Sequence, residues 1–371
     1  MSIPWIIVIT ITIIILQSYI YHKWGLHRIQ YKRSFSRPNV FEGEEVEMID
    51  IISNNKLLPV PWLRLESKIN ASLQFRKQVN GESEIDSDEF HRTLFSLMPY
   101  QKIKRRQTVT CNKRGYFRFN TVSMTTGDIF GFGGTFKNAN ASADILIYPK
   151  LLPIEDIPLP SHSWLGDVMV RRWIVDDPFV HAGVREYSYG DPMNTVNWKA
   201  TARTGSFQVS KKDFTADHHL MIYLNFDESE DIWMPVMDEE LFERGISYAA
   251  SIAEYAISQG ISTGFGCNSY LIDRFDKSSL IKESVRIEPE NGGHQLSYLF
   301  ETMAKLKMDR SMSFNQFLRE DLNRKMERTD ILLITSILTE KMKEHISELE
   351  LQGNAVEILW LDKEVGVDDA E

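Results

Sequence analysis

LMIYLNF, Leu220 to Phe226, is an almost unbroken apolar run with no alternation. A strand with one face in water alternates apolar and polar side chains, so this run reads as a strand buried on both faces. Downstream, from Glu239 to Gln259, Leu241, Ile246, Ala249, Ile252, Ala253 and Ala256 recur at helical spacing, and Gly260 stands where a C-cap belongs. ISTGFGCN, Ile261 to Asn268, reads as a second buried strand. Helices follow over Leu296–Leu306 and Phe314–Glu327, then the apolar strand ILLITSIL, Ile331 to Leu338. A helix over Met342–Leu351, closed by Gly353, and the strand AVEILWLD complete the pattern. Strands alternating with helices imply parallel pairing through right-handed crossovers. Residues 217–371 are therefore expected to form a doubly wound α/β domain.

Upstream the period changes. From Phe35 to Tyr148 short runs such as GEEVEMIDIIS, PVPWLRLES, FHRTLFSLM, KIKRRQTVTC and GYFRFNTVSMTT are separated by turn residues. This is the signal of an antiparallel sandwich. In GEEVEMIDIIS the residues expected on one face are Val46, Met48 and Ile51. DILIYPKL, Asp144 to Leu151, reads as the last strand, and Asn80–Glu89 as a polar loop tip. The expectation is an immunoglobulin-like β-sandwich over 35–152, with 153–216 as a connector rich in Pro, Trp and Asp.

The first residues read as a membrane anchor, assigned to 1–24. Ile3 to Ile20 carries no charge, and about 18 such residues reach about 27 Å as a helix, close to the hydrocarbon thickness. Tyr19, Tyr21 and Trp24 stand at one end, where amphipathic rings prefer the interface. Lys23, Arg28, Lys32, Arg33 and Arg37 follow the run and no Lys or Arg precedes it. That order is the reverse of a secretory signal, and the positive-inside rule puts the bulk of the chain in the cytoplasm.

At 371 residues the chain has room for two or three domains, and its net charge of -10 argues against a nucleic-acid partner. Cys111 and Cys267 are the only cysteines and are expected to be buried small hydrophobes, not a disulfide or metal pair. The basic run Lys102, Lys104, Arg105 and Arg106 is either a solvated strand face or lies against anionic lipid.

The stretch VREYSYGDPMNTVNWKATARTG, Val184 to Gly205, mixes aromatics, Gly and Pro punctuation and basic groups in a way no ordinary strand or helix requires. With DDPFVHAGVREY leading into it and KRGYFRFNTVSMTTGDIFGFG, Lys113 to Gly133, upstream, it resembles the domain-of-unknown-function 58 family of bacterial membrane-anchored proteins. The resemblance implies a layout of anchor, sandwich, signature and von Willebrand factor A-like α/β domain. Because such proteins are commonly encoded beside MoxR-type AAA+ ATPases, and often near transglutaminase-like membrane proteins, it also implies partner binding.

Two roles for the signature remain open on the residues alone. In one, Arg185 pairs with Glu186 or Asp191 after the Gly190 turn, and Trp198 wedges between domains, as a clamp. In the other, Arg185, Tyr187, Trp198 and Arg203 anchor an exposed docking surface, these being residue types enriched at binding hot spots. A phosphate site from Lys199, Arg203 and Gly205 is a third use, although no GxxxxGK[ST] loop is present. GFGG at 131–134 reads as a turn.

The resemblance also raises a metal. Von Willebrand A domains commonly hold Mg²⁺ through Asp-x-Ser-x-Ser, a loop Thr and a later Asp. Here Asp227 and Ser229 occupy the first two positions but Asp231 replaces the second Ser; in a shifted register Asn225 replaces the first Asp. His294 replaces the Thr, and Thr335-Ser336 stand where the last Asp belongs. The alternatives are a degenerate ion site and a solvated acidic loop. His218 and His219 point to opposite faces of a strand and are expected at its edge. No nucleophile–base pair is visible, so no catalytic residue is assigned and no cofactor is expected beyond Mg²⁺. The leading expectation is an anchored adaptor for a chaperone-like ATPase. The alternatives are a metal-dependent hydrolase using Asp227, Asp231 and His294, and an extracellular adhesion module of opposite topology.

Overall fold

A computed structural model describes residues 3–68, 73–75, 90–128, 134–160, 176–188, 193, 196–214, 219–229, 235–271, 282–326 and 328–362. The chain divides into two compact units, Met1–Lys150 and Leu151–Glu371. The acidic loop tip at Asn80–Glu89 and most of the 131–134 glycine cluster lie outside the described residues.

The first unit opens with helix α1 (Ile3–Trp24), whose segment Trp5–Trp24 has a mean hydropathy of 1.8 and is long and apolar enough to cross a membrane. Strand β1 (Ile29–Phe35) starts only a few residues later. The junction is packed: Tyr21 and Leu26 are buried, and a Cβ on Gly25 would meet the Tyr21 carbonyl oxygen at 2.3 Å. Lys56 reaches across with its ammonium, donating to the Trp24 carbonyl at 2.5 Å and to the Gly25 carbonyl, so a cation covers the negative end of the helix. Burial pushes its pKa down to about 8.

Two sheets then face one another. One has the order β1, β3 (Glu45–Asn54), β7 (Lys102–Cys111), β5 (Leu73–Phe75). The other runs β2 (Asn39–Phe41), β9 (Gly134–Tyr148), β8 (Gly115–Gly127), β4 (Val60–Lys68), β6 (Phe90–Leu97). All pairs are antiparallel except β2 with β9. Strand β9 begins ten residues before the expected Asp144, since its first half pairs with β8 through polar residues that carry no apolar alternation.

The inward face of β3 is Val46, Met48, Asp50 and Ile52, so Ile52, not Ile51, continues it. The sequence reading missed this because a carboxylate occupies a core position. Asp50 is tolerated there because Arg33 on β1 donates to it at 2.9 Å and the Tyr31 hydroxyl donates at 2.5 Å. Arg33 also donates to Ser67 on the facing sheet at 3.1 Å and lies over the Phe119 ring. The group separates two apolar clusters, one around Ile52, Leu63 and Met124, the other around Met48, Val109 and Ile145.

The second unit contains a hairpin of β10 (Asp176–Glu186) and β11 (Gln208–Phe214), with the short helix α2 (Trp198–Thr204) between them. What reads as connector is thus partly a folded hairpin. A five-stranded sheet follows in the order β14 (Val285–Glu290), β13 (Ser262–Cys267), β12 (His219–Leu224), β15 (Thr329–Thr335), β16 (Ala355–Trp360). Helices α3 (Glu239–Ser258), α4 (Gly293–Lys305), α5 (Phe314–Arg324) and α6 (Glu340–Leu351) connect its strands. Met221, Tyr223, Ile331 and Leu333 pack against Phe314, Phe317, Met342 and Ile346 of α5 and α6. Elsewhere Phe226, just past β12, stacks on Phe242 of α3 with centroids 5.1 Å apart. Four strands are parallel, but β14 is antiparallel to β13, a pairing absent from the sequence reading. Its VRIEPE sequence carries Pro289 and charges, features that suit an edge strand and mask the β signal.

Removing one member of the buried pair in the sandwich leaves the other charge unpaired. Asp50→Ala is expected to cost about 3–5 kcal/mol of local stability. Hydrogen-exchange mass spectrometry checks this: amides of β1, β3 and β7 should exchange faster while those of β12 and β15 stay unchanged.

Candidate functional site

The signature folds as a hairpin whose short helix is stitched to its second strand. In β10 and β11, Arg185 pairs with Val209 and Glu186 with Gln208, and the Tyr187 N–H donates to the Phe207 carbonyl at 2.8 Å. The Asn197 side chain caps α2 by accepting from the Ala200 N–H at 3.0 Å. Gly205, with φ of 74°, closes it in the left-handed conformation that favours glycine. The Asn197 N–H donates to the Gln208 carbonyl at 2.7 Å, and the Thr201 hydroxyl accepts from the Gln208 N–H at 3.0 Å. Val196 and Val209 are buried.

The outer side is aromatic. Trp198 is 62% exposed and Phe207 51%, their rings edge to face at 6.2 Å, with Tyr187 6.1 Å from Phe207 on the other side. Lys199 and Arg203 are exposed on α2, Glu186 on β10, and Val184 and Met193 add exposed apolar surface. Trp198 faces outward from this hairpin. The Arg185 side chain, Gly190 and Asp191 lie outside the described residues. Phe207 was missed because it stands just past the motif; its only signal was that it continues the aromatic series.

Asp227 behaves differently from both sequence alternatives. Asp227 follows β12 at the carboxyl end of the sheet, where the strand order reverses: β12 leads on to β13 on one side, and the chain returns from β14 to β15 on the other, the place open α/β sheets put ligands. It is only 2% exposed, so it is not a solvated loop residue. One carboxylate oxygen accepts from the Asn268 amide at 2.9 Å, with the Arg310 guanidinium 3.7 Å away. The other accepts from the Phe314 N–H at 2.8 Å, at the first turn of α5, whose dipole favours a carboxylate. Asn225 accepts from the Asp227 N–H and donates to the Thr335 hydroxyl, both at 2.9 Å. Thr335 donates to the Ile337 carbonyl at 2.6 Å, and Ser336 to the Asp227 carbonyl at 3.3 Å. Asn268 accepts from the Phe226 N–H at 2.8 Å.

These residues do not fit a divalent ion. Mg²⁺ requires near-octahedral oxygen donors and usually retains water, whereas both Asp227 oxygens serve protein donors and Arg310 already supplies positive charge. Among the described residues, no three His, Cys, Asp or Glu side chains form a group that holds a metal. Ser229 is exposed, Glu228 accepts from the Met237 and Asp238 N–H groups ahead of α3, and Asp231 lies outside the described residues.

His294 is misplaced for either a metal or a hydrolytic role. Because β14 is antiparallel, the loop after Glu290 returns to the amino end of β13, where Glu290 pairs with Thr263. Asp227 sits beyond the opposite end; at roughly 3.3 Å per residue the strand between spans about 13 Å or more. His294 and Asp227 therefore share no pocket. His219 begins β12 at the amino end as well, and His218 lies outside the described residues. Asn268 and Arg310 were missed because neither belongs to a local motif.

Comparison with known proteins shows that residues 183–349 match the family model described as Protein of unknown function DUF58. The chain is 23% identical over 259 residues to "Uncharacterized protein YeaD" of Bacillus subtilis (strain 168). That alignment covers 70% of this chain and 59% of the relative, so the chain spans about three-fifths of the relative's length. Solved structures similar to it include the CARDB domain of PF1109 from Pyrococcus furiosus, 13% identical over 32% of this chain and 91% of that one, TM-score 0.22. A non-cellulosomal cohesin from Archaeoglobus fulgidus is 11% identical over 32% and 91%, TM-score 0.24. An uncharacterized protein from Nocardia farcinica with an immunoglobulin-like fold is 9% identical over 31% and 97%, TM-score 0.23. At such scores the sandwich rests on the strands described above.

Burial pushes the Asp227 carboxyl above its ordinary 3.8, against the lowering effect of the Phe314 N–H, Arg310 and Asn268. The folded chain then holds this proton at a pH where the unfolded chain has lost it. That increment of stability is present at low pH and lost as pH rises through the folded pKa. Asp227→Asn should flatten this dependence, while Asp227→Ala should destabilise by about 3–5 kcal/mol by orphaning its donors. Thermal unfolding across pH reads both, and added Mg²⁺ should leave the Tm unchanged.

Proposed function

With residues 183–349 carrying the family described as Protein of unknown function DUF58, we propose that the chain is a membrane-anchored adaptor that binds another protein through its signature hairpin. The observation that carries this reading is the Tyr187–Phe207–Trp198 row, with Trp198 and Phe207 exposed and Tyr187 half-buried, on a helix and strand tied together by hydrogen bonds. Rigid aromatics lose little conformational entropy on binding, and Trp, Tyr and Arg dominate interface energetics. Lys199 and Arg203 beside them suit a partner with an acidic rim. The partner class is a MoxR-type AAA+ ATPase, working in the assembly of a complex that includes a transglutaminase-like membrane protein. The α/β sheet acts as a von Willebrand factor A-like scaffold whose usual ion position is filled by the Asp227 network. The basic residues after α1 support a cytoplasmic location for both folded units.

The test uses full-length protein in detergent with a purified MoxR-type ATPase. Trp198→Ala and Phe207→Ala should each weaken capture by about 30-fold or more, the effect of losing a hot-spot residue, while circular dichroism stays unchanged. Folded variants that bind as tightly as the parent chain would refute the docking role; loss of folding would favour the clamp. Protease accessibility on intact cells checks the orientation, with digestion of the folded units expected only after lysis.

A further inference from the structure

The end of the sandwich from which α1 leaves differs from the rest of its surface. Three loops meet there: residues 25–28 after α1, 54–59 between β3 and β4, and 98–101 between β6 and β7. Backbone hydrogen bonds tie them together, from the Asn55 N–H to the Arg28 carbonyl at 3.1 Å and from the Tyr100 N–H to the Lys56 carbonyl at 3.3 Å. The Asn54 amide adds a bond to the Met98 carbonyl at 3.0 Å. Arg28 and Tyr100 both hold left-handed backbone with φ of 56°, an uncommon conformation for residues other than glycine.

This end is apolar where it should be polar. Beyond the α1 residues themselves, the large hydrophobics exposed among the described residues of the first unit are Leu57, Leu94, Met98, Tyr100 and Phe136. All but Leu94 lie at or next to this end, with Leu57 74% and Tyr100 70% exposed. A cavity of about 480 Å³ opens between the last turns of α1 and the 54–59 loop, lined in part by Ile20, Trp24, Arg28, Leu57 and Pro59. The charge of these three loops is one-sided as well, and Asp128, just past β8, is buried. Lys23, Arg28 and Lys102 stand here, and the described segments 20–32, 54–60 and 97–104 contain no Asp or Glu. The opposite end mixes signs, with Glu42, Glu44, Glu45 and Glu47 against Arg37, Lys113 and Arg114.

We propose that this end of the sandwich is a second membrane contact: Leu57, Met98 and Tyr100 enter the headgroup region beside α1, while Lys23, Arg28 and Lys102 lie over anionic lipid phosphates. The occupant is a bilayer surface because the patch is continuous with the end of an apolar helix long enough to span one. Interfacial side chains of mixed apolar and basic character bind such a surface by burial and by attraction to anionic lipid. The short junction, closed by Lys56, transmits this contact to the whole sandwich and holds it upright on the membrane. The inference rests on the anchoring reading of α1.

The experiment places single new cysteines, Leu57→Cys, Tyr100→Cys and Glu45→Cys, in the full-length chain, where Cys111 and Cys267 are buried and poorly labelled. A polarity-sensitive dye is attached and the protein reconstituted in nanodiscs of phosphatidylcholine with phosphatidylglycerol, with and without nitroxide-headgroup lipid. Emission from 57 and 100 should be blue-shifted and quenched several-fold more than emission from 45, and the quenching should weaken in phosphatidylcholine alone. Equal quenching at all three positions in chains that have entered the discs overturns the proposal and leaves the anchor standing. Equal quenching in both lipid mixtures overturns the phosphate contacts. Failure of the parent chain to enter discs overturns the anchor and this contact together.

Discussion

The carboxylate of Asp227 determines what the α/β unit can do. It stands where an open parallel sheet offers a ligand site, yet its oxygens are committed to Asn268 and to the first turn of α5, with Arg310 alongside. The same group ties the ends of β12, β13 and β15 to one helix through Asn225, Asn268 and Thr335. A buried carboxylate this well provided with donors holds strand ends in place. An ion would have to displace several of those bonds before gaining its own. The chemistry that the position could host is therefore exchanged for rigidity.

The sandwich uses a comparable device. Arg33 and Asp50 sit between two apolar clusters and link opposite sheets through Ser67 and Phe119. Such a pair contributes little net stability compared with an apolar replacement, but either partner alone is costly. Its position constrains how the two sheets align, since a shift of one residue would turn Asp50 outward and leave Arg33 buried and unpaired. At the end from which α1 leaves, Lys56 plays a related part by closing the last carbonyls of α1. The apolar helix is thereby joined closely to a folded body.

Much of the fold was legible because it depends on local periodicity. Unbroken apolar runs marked β12 and β15, helical spacing marked α3, and alternation marked β3 up to the point where Asp50 enters the core. The failures share a cause. Pro289 and its charged neighbours hid β14, polar residues hid the first half of β9, and punctuation by Gly and Pro made the signature look like a connector. The candidate site was less legible still. Asp227 was noticed for its type, but its burial and its partners Asn268 and Arg310 come from distant parts of the chain.

The amino-acid order by itself determined the apolar helix, the change from alternating to helical periodicity, and the match to a family model over 183–349, since each is written in neighbouring residues. Only the tertiary structure decided the direction of the edge strand, and with it the separation of His294 from Asp227. It likewise decided that Trp198 faces outward and that the acidic position is closed by protein donors. Local spacing sets which elements form, whereas burial, strand direction and the sharing of hydrogen bonds are set by residues that meet only when the chain has folded.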